Sequence, residues 1–159
     1  MLVHGDTSTT MAASMAGFLN GVPVGHVEAG LRTNNLLSPF PEEFNRRIAS
    51  LSSDIHFAPT IKSKTNLMHE GVSESKIFIT GNTVIDSLFW ILNKIDSNME
   101  IKDKIHTRLN KILNFNFCNE KYILITAHRR ESFGPGFISI CEAIKELSFK
   151  NPHINFVYP

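Results

Sequence analysis

The sequence predicts an α/β fold built on mostly parallel sheets, and two observations lead to it. Short β-prone runs alternate with segments of helical periodicity along the whole chain, which is the order of successive βαβ units. Between residues 96 and 120 the texture turns polar, with a short amphipathic segment around Ile101, Ile105, Leu109 and Ile112. That change marks a crossover between two such sheets.

Taken in order, LVHG (2–5) is a strand, followed by Asp6, Thr7 and Ser8 as candidates to cap a helix. Met11, Ala12, Met15, Ala16 and Leu19 share one face of that helix, which stops at Gly21. VPVGHVEA (22–29) is a second strand, and GLRTNNLLSPFP (30–41) a polar loop with prolines. A helix follows over 42–52, a strand over 55–59, a helix over 60–71 ended by glycine, and a strand over 76–81. VIDSLFWILNKI (84–95) is a strongly apolar helix. After the polar stretch come a strand at 122–127, a helix at 136–149 and a strand at 154–159. Met1 opens inside a strand, and Pro159 closes as another ends. So few parallel strands leave sheet faces uncovered, and the chain reads as a portion of a longer fold.

Hydrophobic residues make up 42% of the 159, enough for a packed core and too many for a disordered chain. The net charge of +1 gives no whole-molecule field to attract nucleic acid or an acidic membrane. Any anion must be held by a local cluster. Cys118 and Cys141 are the two cysteines, with no C-x-x-C pair for zinc or redox chemistry. The first residues, MLVHGDTSTT, lack the basic start and long apolar core of a signal peptide, and no run nears the roughly 20 apolar residues of a membrane span. The composition reads as that of a cytoplasmic protein with free thiols.

Ligands of open parallel sheets sit at the carboxyl ends of the strands. Asp6, Glu28 and His128 fall at such ends. Each has a structural alternative. Asp6 is placed to cap the helix beginning at Thr7. Glu28 is placed either in solvent or in a site, and His26, in mid-strand, reads as a satisfied core histidine. Glu42 and Glu43 follow Pro41 at a helix start, where the helix dipole favours acids. The stretch ILITAHRRESFGPG (123–136) delivers His128, Arg129 and Arg130 between a strand and a glycine-bearing turn. Guanidinium groups beside free helix N–H groups suit a phosphate, and a solvated charged loop is the alternative. Carboxylates and an imidazole near a phosphate suit proton abstraction beside a leaving phosphate. No H-E-x-x-H, G-x-S-x-G or G-x-G-x-x-G pattern is present.

The blocks HGDTSTT (4–10), PVGHVEAGLRT (23–33), SPFPEEFNRR (38–47), IFITGNTVID (77–86), ITAHRRESFG (125–134) and the closing VYP together resemble the non-hydrolysing bacterial UDP-N-acetylglucosamine 2-epimerases. The match is collinear over essentially the whole chain. The resemblance implies two Rossmann-like domains of the GT-B type, both incomplete here. Residues 1–85 would be the later part of the first, 86–114 a hinge or crossover, and 115–159 the beginning of the second. It implies interconversion of UDP-N-acetylglucosamine and UDP-N-acetylmannosamine, with no redox cofactor, by a homodimer when intact. The motif matches make Asp6, Glu28, Glu42 and His128 the catalytic set, with Arg129 and Arg130 on the phosphates and no metal. Two other readings stand beside this one: a hydrolysing relative that releases N-acetylmannosamine and UDP, and a truncated chain without activity. Ala127, where glycine is also common, and Pro135 depart mildly from the family pattern.

Overall fold

The computed structural model describes residues 1–126 and 134–159, which form two compact units, Met1–Phe89 and Trp90–Pro159. The first unit is a four-stranded parallel sheet in the order β1-β2-β3-β4. Its strands are β1 (Leu2–His4), β2 (Gly25–Val27), β3 (Ile55–Ala58) and β4 (Ile77–Ile79). Helices α1 (Ser8–Leu19), α2 (Glu42–Leu51) and α3 (Ile61–His69) make the crossovers. One rung of the sheet runs Val3–His26–His56–Ile77 through all four strands. All four residues are buried, so two imidazoles lie side by side where a parallel sheet normally places aliphatic side chains.

Local chemistry sets the boundaries. The Thr7 hydroxyl caps α1 by accepting from the Thr10 N–H at 3.2 Å, and Thr60 does the same for Ser63 at the start of α3. α2 follows Pro41 with no side-chain cap, and Glu42 and Glu43 occupy its first turn. β2 is shorter than the 22–29 run suggests. Pro23 lacks the N–H a ladder needs, and beyond Val27 the backbone turns at Glu28, where φ is 68°. On one side of the sheet Ala29, Ala58, Leu67 and Ile77 form a core with Val72 packed against it.

Helix α4 (Thr83–Asp96) runs across the boundary between the units. In the second unit, α5 (Met99–Ile112) is capped by the Asn98 side chain, which accepts from the Ile101 N–H at 3.1 Å. The short amphipathic segment expected there is thus a helix of 14 residues. Strands β5 (Tyr122–Leu124) and β6 (Asn155–Val157) pair in parallel, connected through α6 (Pro135–Lys150). Trp90, the lone tryptophan, is 63% exposed and carries the Lys94 ammonium 5.0 Å from its ring centroid. Among the described residues no helix is long and apolar enough to cross a membrane.

Candidate active site

The carboxyl ends of β1 and β2 bring two acids to one edge of the first unit. Past β1 the chain turns at Gly5, whose φ is 73° and whose N–H donates to the Val27 carbonyl at 3.0 Å. A Cβ at Gly5 would lie 3.4 Å from Glu28 Oε2, so the Glu28 carboxylate rests against this bare stretch of backbone. Glu28 itself has left-handed backbone geometry, which costs a non-glycine residue about 1 kcal/mol and persists where the surroundings impose it. The His4 ring stands 3.8 Å from Glu28 Oε2. Beneath them His26 Nε2 is bonded to the Gly5 carbonyl at 2.8 Å, while its Nδ1 is buried without a partner among the described residues. The core reading of His26 is therefore satisfied at one nitrogen only. Burial holds its pKa below the ordinary value, and the Gly5 carbonyl opposes that shift.

Asp6 is held from α2, not spent on α1. The cap position belongs to Thr7, which corrects the capping alternative. Arg46 Nη2 donates to Asp6 Oδ2 at 2.5 Å, and Asn45 Nδ2 donates to the Asp6 carbonyl at 2.9 Å. Glu28 and Asp6 keep about a quarter of their side-chain surface in solvent (26% and 28%), whereas the Arg46 side chain is 10% exposed. Of these two acids, Asp6 is the one paired with the buried guanidinium of Arg46.

The pair Glu42–Glu43 divides its work. Glu43 is fully buried and accepts from the backbone N–H groups of Thr33 and Asn34 at 3.0 and 3.2 Å and from Arg47 Nε at 3.1 Å. The Arg46 guanidinium lies 3.6 Å from it. Burial works to raise the Glu43 pKa, but these N–H groups and guanidinium groups outweigh it and hold the carboxyl below its usual range. Glu43 is a clamp on the 33–34 backbone. Glu42, by contrast, has a buried Oε2 with no partner among the described residues, an acceptor left open.

The structure therefore gathers Asp6 and Glu28 at adjacent strand ends and sets Glu42 at the start of α2, the helix that grips Asp6. His128, Arg129 and Arg130 lie outside the described residues. Arg46 and Asn45 are additions that the sequence reading missed, and Glu43, read there as a helix-start acid, is the clamp on the 33–34 backbone. The available signal was the EEFNRR spacing, which sets Arg46 three and four residues after the two acids on one helix face. Among the described residues no group of three or more His, Cys, Asp or Glu side chains is arranged to hold a metal.

Partly solvated carboxylates at the ends of neighbouring parallel strands, one of them fixed by a buried guanidinium, are an arrangement able to accept and donate protons on a Rossmann-like α/β unit. The chain belongs to the UDP-N-acetylglucosamine 2-epimerase family, whose model matches residues 1–159. It is 50% identical to the UDP-N-acetylglucosamine 2-epimerase of Yersinia pestis and 49% identical to that of Escherichia coli K12. Both matches cover all of this chain and 41% of the relative. Among solved structures, the Neisseria meningitidis enzyme bound to UDP-GlcNAc superposes with a TM-score of 0.90 at 51% identity, over 99% of this chain and 41% of that one. The Methanocaldococcus jannaschii enzyme in complex with UDP-GlcNAc and UDP gives 0.80 at 32% identity, again over 99% and 41%. These neighbours have the GT-B fold, and the chain spans about two fifths of their length.

Proposed function

We propose that this segment supplies the proton-transfer half of an active site that interconverts UDP-N-acetylglucosamine and UDP-N-acetylmannosamine without hydrolysis. The observation that carries the reading is the placement of Asp6 and Glu28 at neighbouring strand ends, in a chain that matches the epimerase family from end to end. In this reading one carboxylate removes the proton from C2 of the sugar. The C–H electron pair becomes the C1–C2 double bond, and the C1–O bond breaks with its pair leaving on UDP. The intermediate, 2-acetamidoglucal, is then protonated at C2 on the opposite face, and UDP adds back at C1. Asp6 and Glu28 serve the two proton transfers, Glu42 assists, and His128 with Arg129 and Arg130 serves the UDP phosphates. Removal of a carbon-bound proton needs a positioned and partly desolvated base, and the half-buried state of both acids meets that need.

The test is solvent exchange in a full-length enzyme carrying residues 1–159. In D₂O the product is expected to carry deuterium at C2, and product without deuterium would exclude the elimination route. Recovery of free N-acetylmannosamine in place of UDP-sugar would assign the hydrolysing outcome. Asp6→Asn and Glu28→Gln are each expected to reduce kcat by about 10²–10⁴-fold with the fold retained.

A further inference from the structure

We infer that Arg46 is a positioning residue for Asp6, an inference that rests on the reading of Asp6 as a proton-transfer group. Three features of the structure lead there. Arg46 Nη2 fixes Asp6 Oδ2, while Asp6 Oδ1 takes no hydrogen bond among the described residues. One oxygen is held and the other is left for a proton. The grip is double, because Asn45 on the same helix bonds the Asp6 backbone carbonyl and so sets the chain as well as the carboxylate.

Arg46 is itself aimed. Its other terminal nitrogen, Nη1, lies 3.6 Å from Glu43 Oε2, and Glu43 is buried and anchored on the Thr33 and Asn34 N–H groups. A guanidinium between two carboxylates, with its side chain 10% exposed, has little freedom to turn. A surface pair would wander, because long side chains lose entropy in holding one geometry. The line Asn34–Glu43–Arg46–Asp6 therefore converts the rigidity of α2 and the 33–34 backbone into the orientation of one carboxylate. Arginine suits the place because its planar fork can address two carboxylates at once, which a lysine ammonium does with less directional control. Misplacement of a reacting group by about 1 Å can cost on the order of 10²-fold in rate.

The experiment is a double-mutant cycle in a full-length enzyme carrying residues 1–159, with kcat and KM measured separately. Arg46→Met is expected to reduce kcat about 10²-fold with KM changed less than about threefold, and Arg46→Lys about tenfold. In an Asp6→Asn background, either Arg46 substitution is expected to cost less than about threefold, since there is no longer a carboxylate to aim. Should Arg46→Met fail to fold, Arg46→Lys alone in both backgrounds carries the same comparison. Equal losses with and without Asp6, or a loss confined to KM, would overturn the positioning role. Full activity of Asp6→Asn itself would instead overturn the reading of Asp6, so the two failures are distinct.

Discussion

His26 and His56 meet in the rung that crosses the sheet, and their burial gives the first unit a pH dependence of definite sign. Burial, then the adjacent His26 ring, then Lys76 and Arg32 push the His56 pKa down to about 4, with Asp54 opposing. His26 is lowered in the same direction, chiefly by burial, with Arg32 and His4 adding to the shift and Gly5 and Asp6 opposing it. In the unfolded chain both rings titrate near 6.5. Between about pH 6.5 and 4 the unfolded state therefore binds protons that the folded state refuses. Stability is complete above that window and falls as the pH drops through it. For His56 alone the loss reaches on the order of 2 kcal/mol by pH 5. The melting temperature of a full-length enzyme with this segment is expected to fall between pH 7.5 and 5, and His56→Leu is expected to flatten that slope. An identical slope in the variant would remove His56 from the account.

Among the elements, α3 depends on a glycine that precedes it by some thirty residues. At Gly30, where φ is 87°, a Cβ would lie 2.3 Å from the Ser63 carbonyl oxygen in the first turn of α3. The Gly30 carbonyl accepts from Asn66 Nδ2 at 2.9 Å on the same helix. The loop backbone and the helix thus touch directly, with no side chain between them. Gly30→Ala combines a left-handed backbone with overpacking and is expected to cost more than about 3 kcal/mol. A shift of the urea midpoint at constant m-value would measure it, and a change under about 1 kcal/mol would contradict the packing. Gly30 was legible in the sequence only as the start of a loop, because its contact is with a residue distant along the chain. The same physics separates the acids. Asp6 and Glu28 announce themselves by following apolar strands, and periodicity alone recovers α1, α2, α3 and α6. The distinct roles of Glu42 and Glu43, and the partnership of Arg46 with Asp6, are tertiary facts. They depend on how α2 docks against the turn after β1, which no local pattern encodes.

At the scale of the whole molecule, much apolar surface is left uncovered. Val84, Ile85, Leu88 and Phe89 of α4 are exposed, as are all three residues of β5. Parallel strands are ordinarily covered on both faces, and contiguous apolar surface of this kind drives association. A chain of these 159 residues alone is therefore expected to self-associate in solution and to form no UDP-N-acetylmannosamine from UDP-N-acetylglucosamine. Light scattering and product analysis check both, and turnover by a monodisperse preparation would refute the expectation. The placement of Trp90 has a practical consequence as well. As the lone indole, on the first residue of the second unit, it makes intrinsic fluorescence a label-free probe of α4. The free thiols Cys118 and Cys141, both exposed and both in the second unit, accept an energy-transfer dye there while leaving the first unit unlabelled. The chain thus carries a built-in donor and two ready attachment points for following the second unit by optical methods.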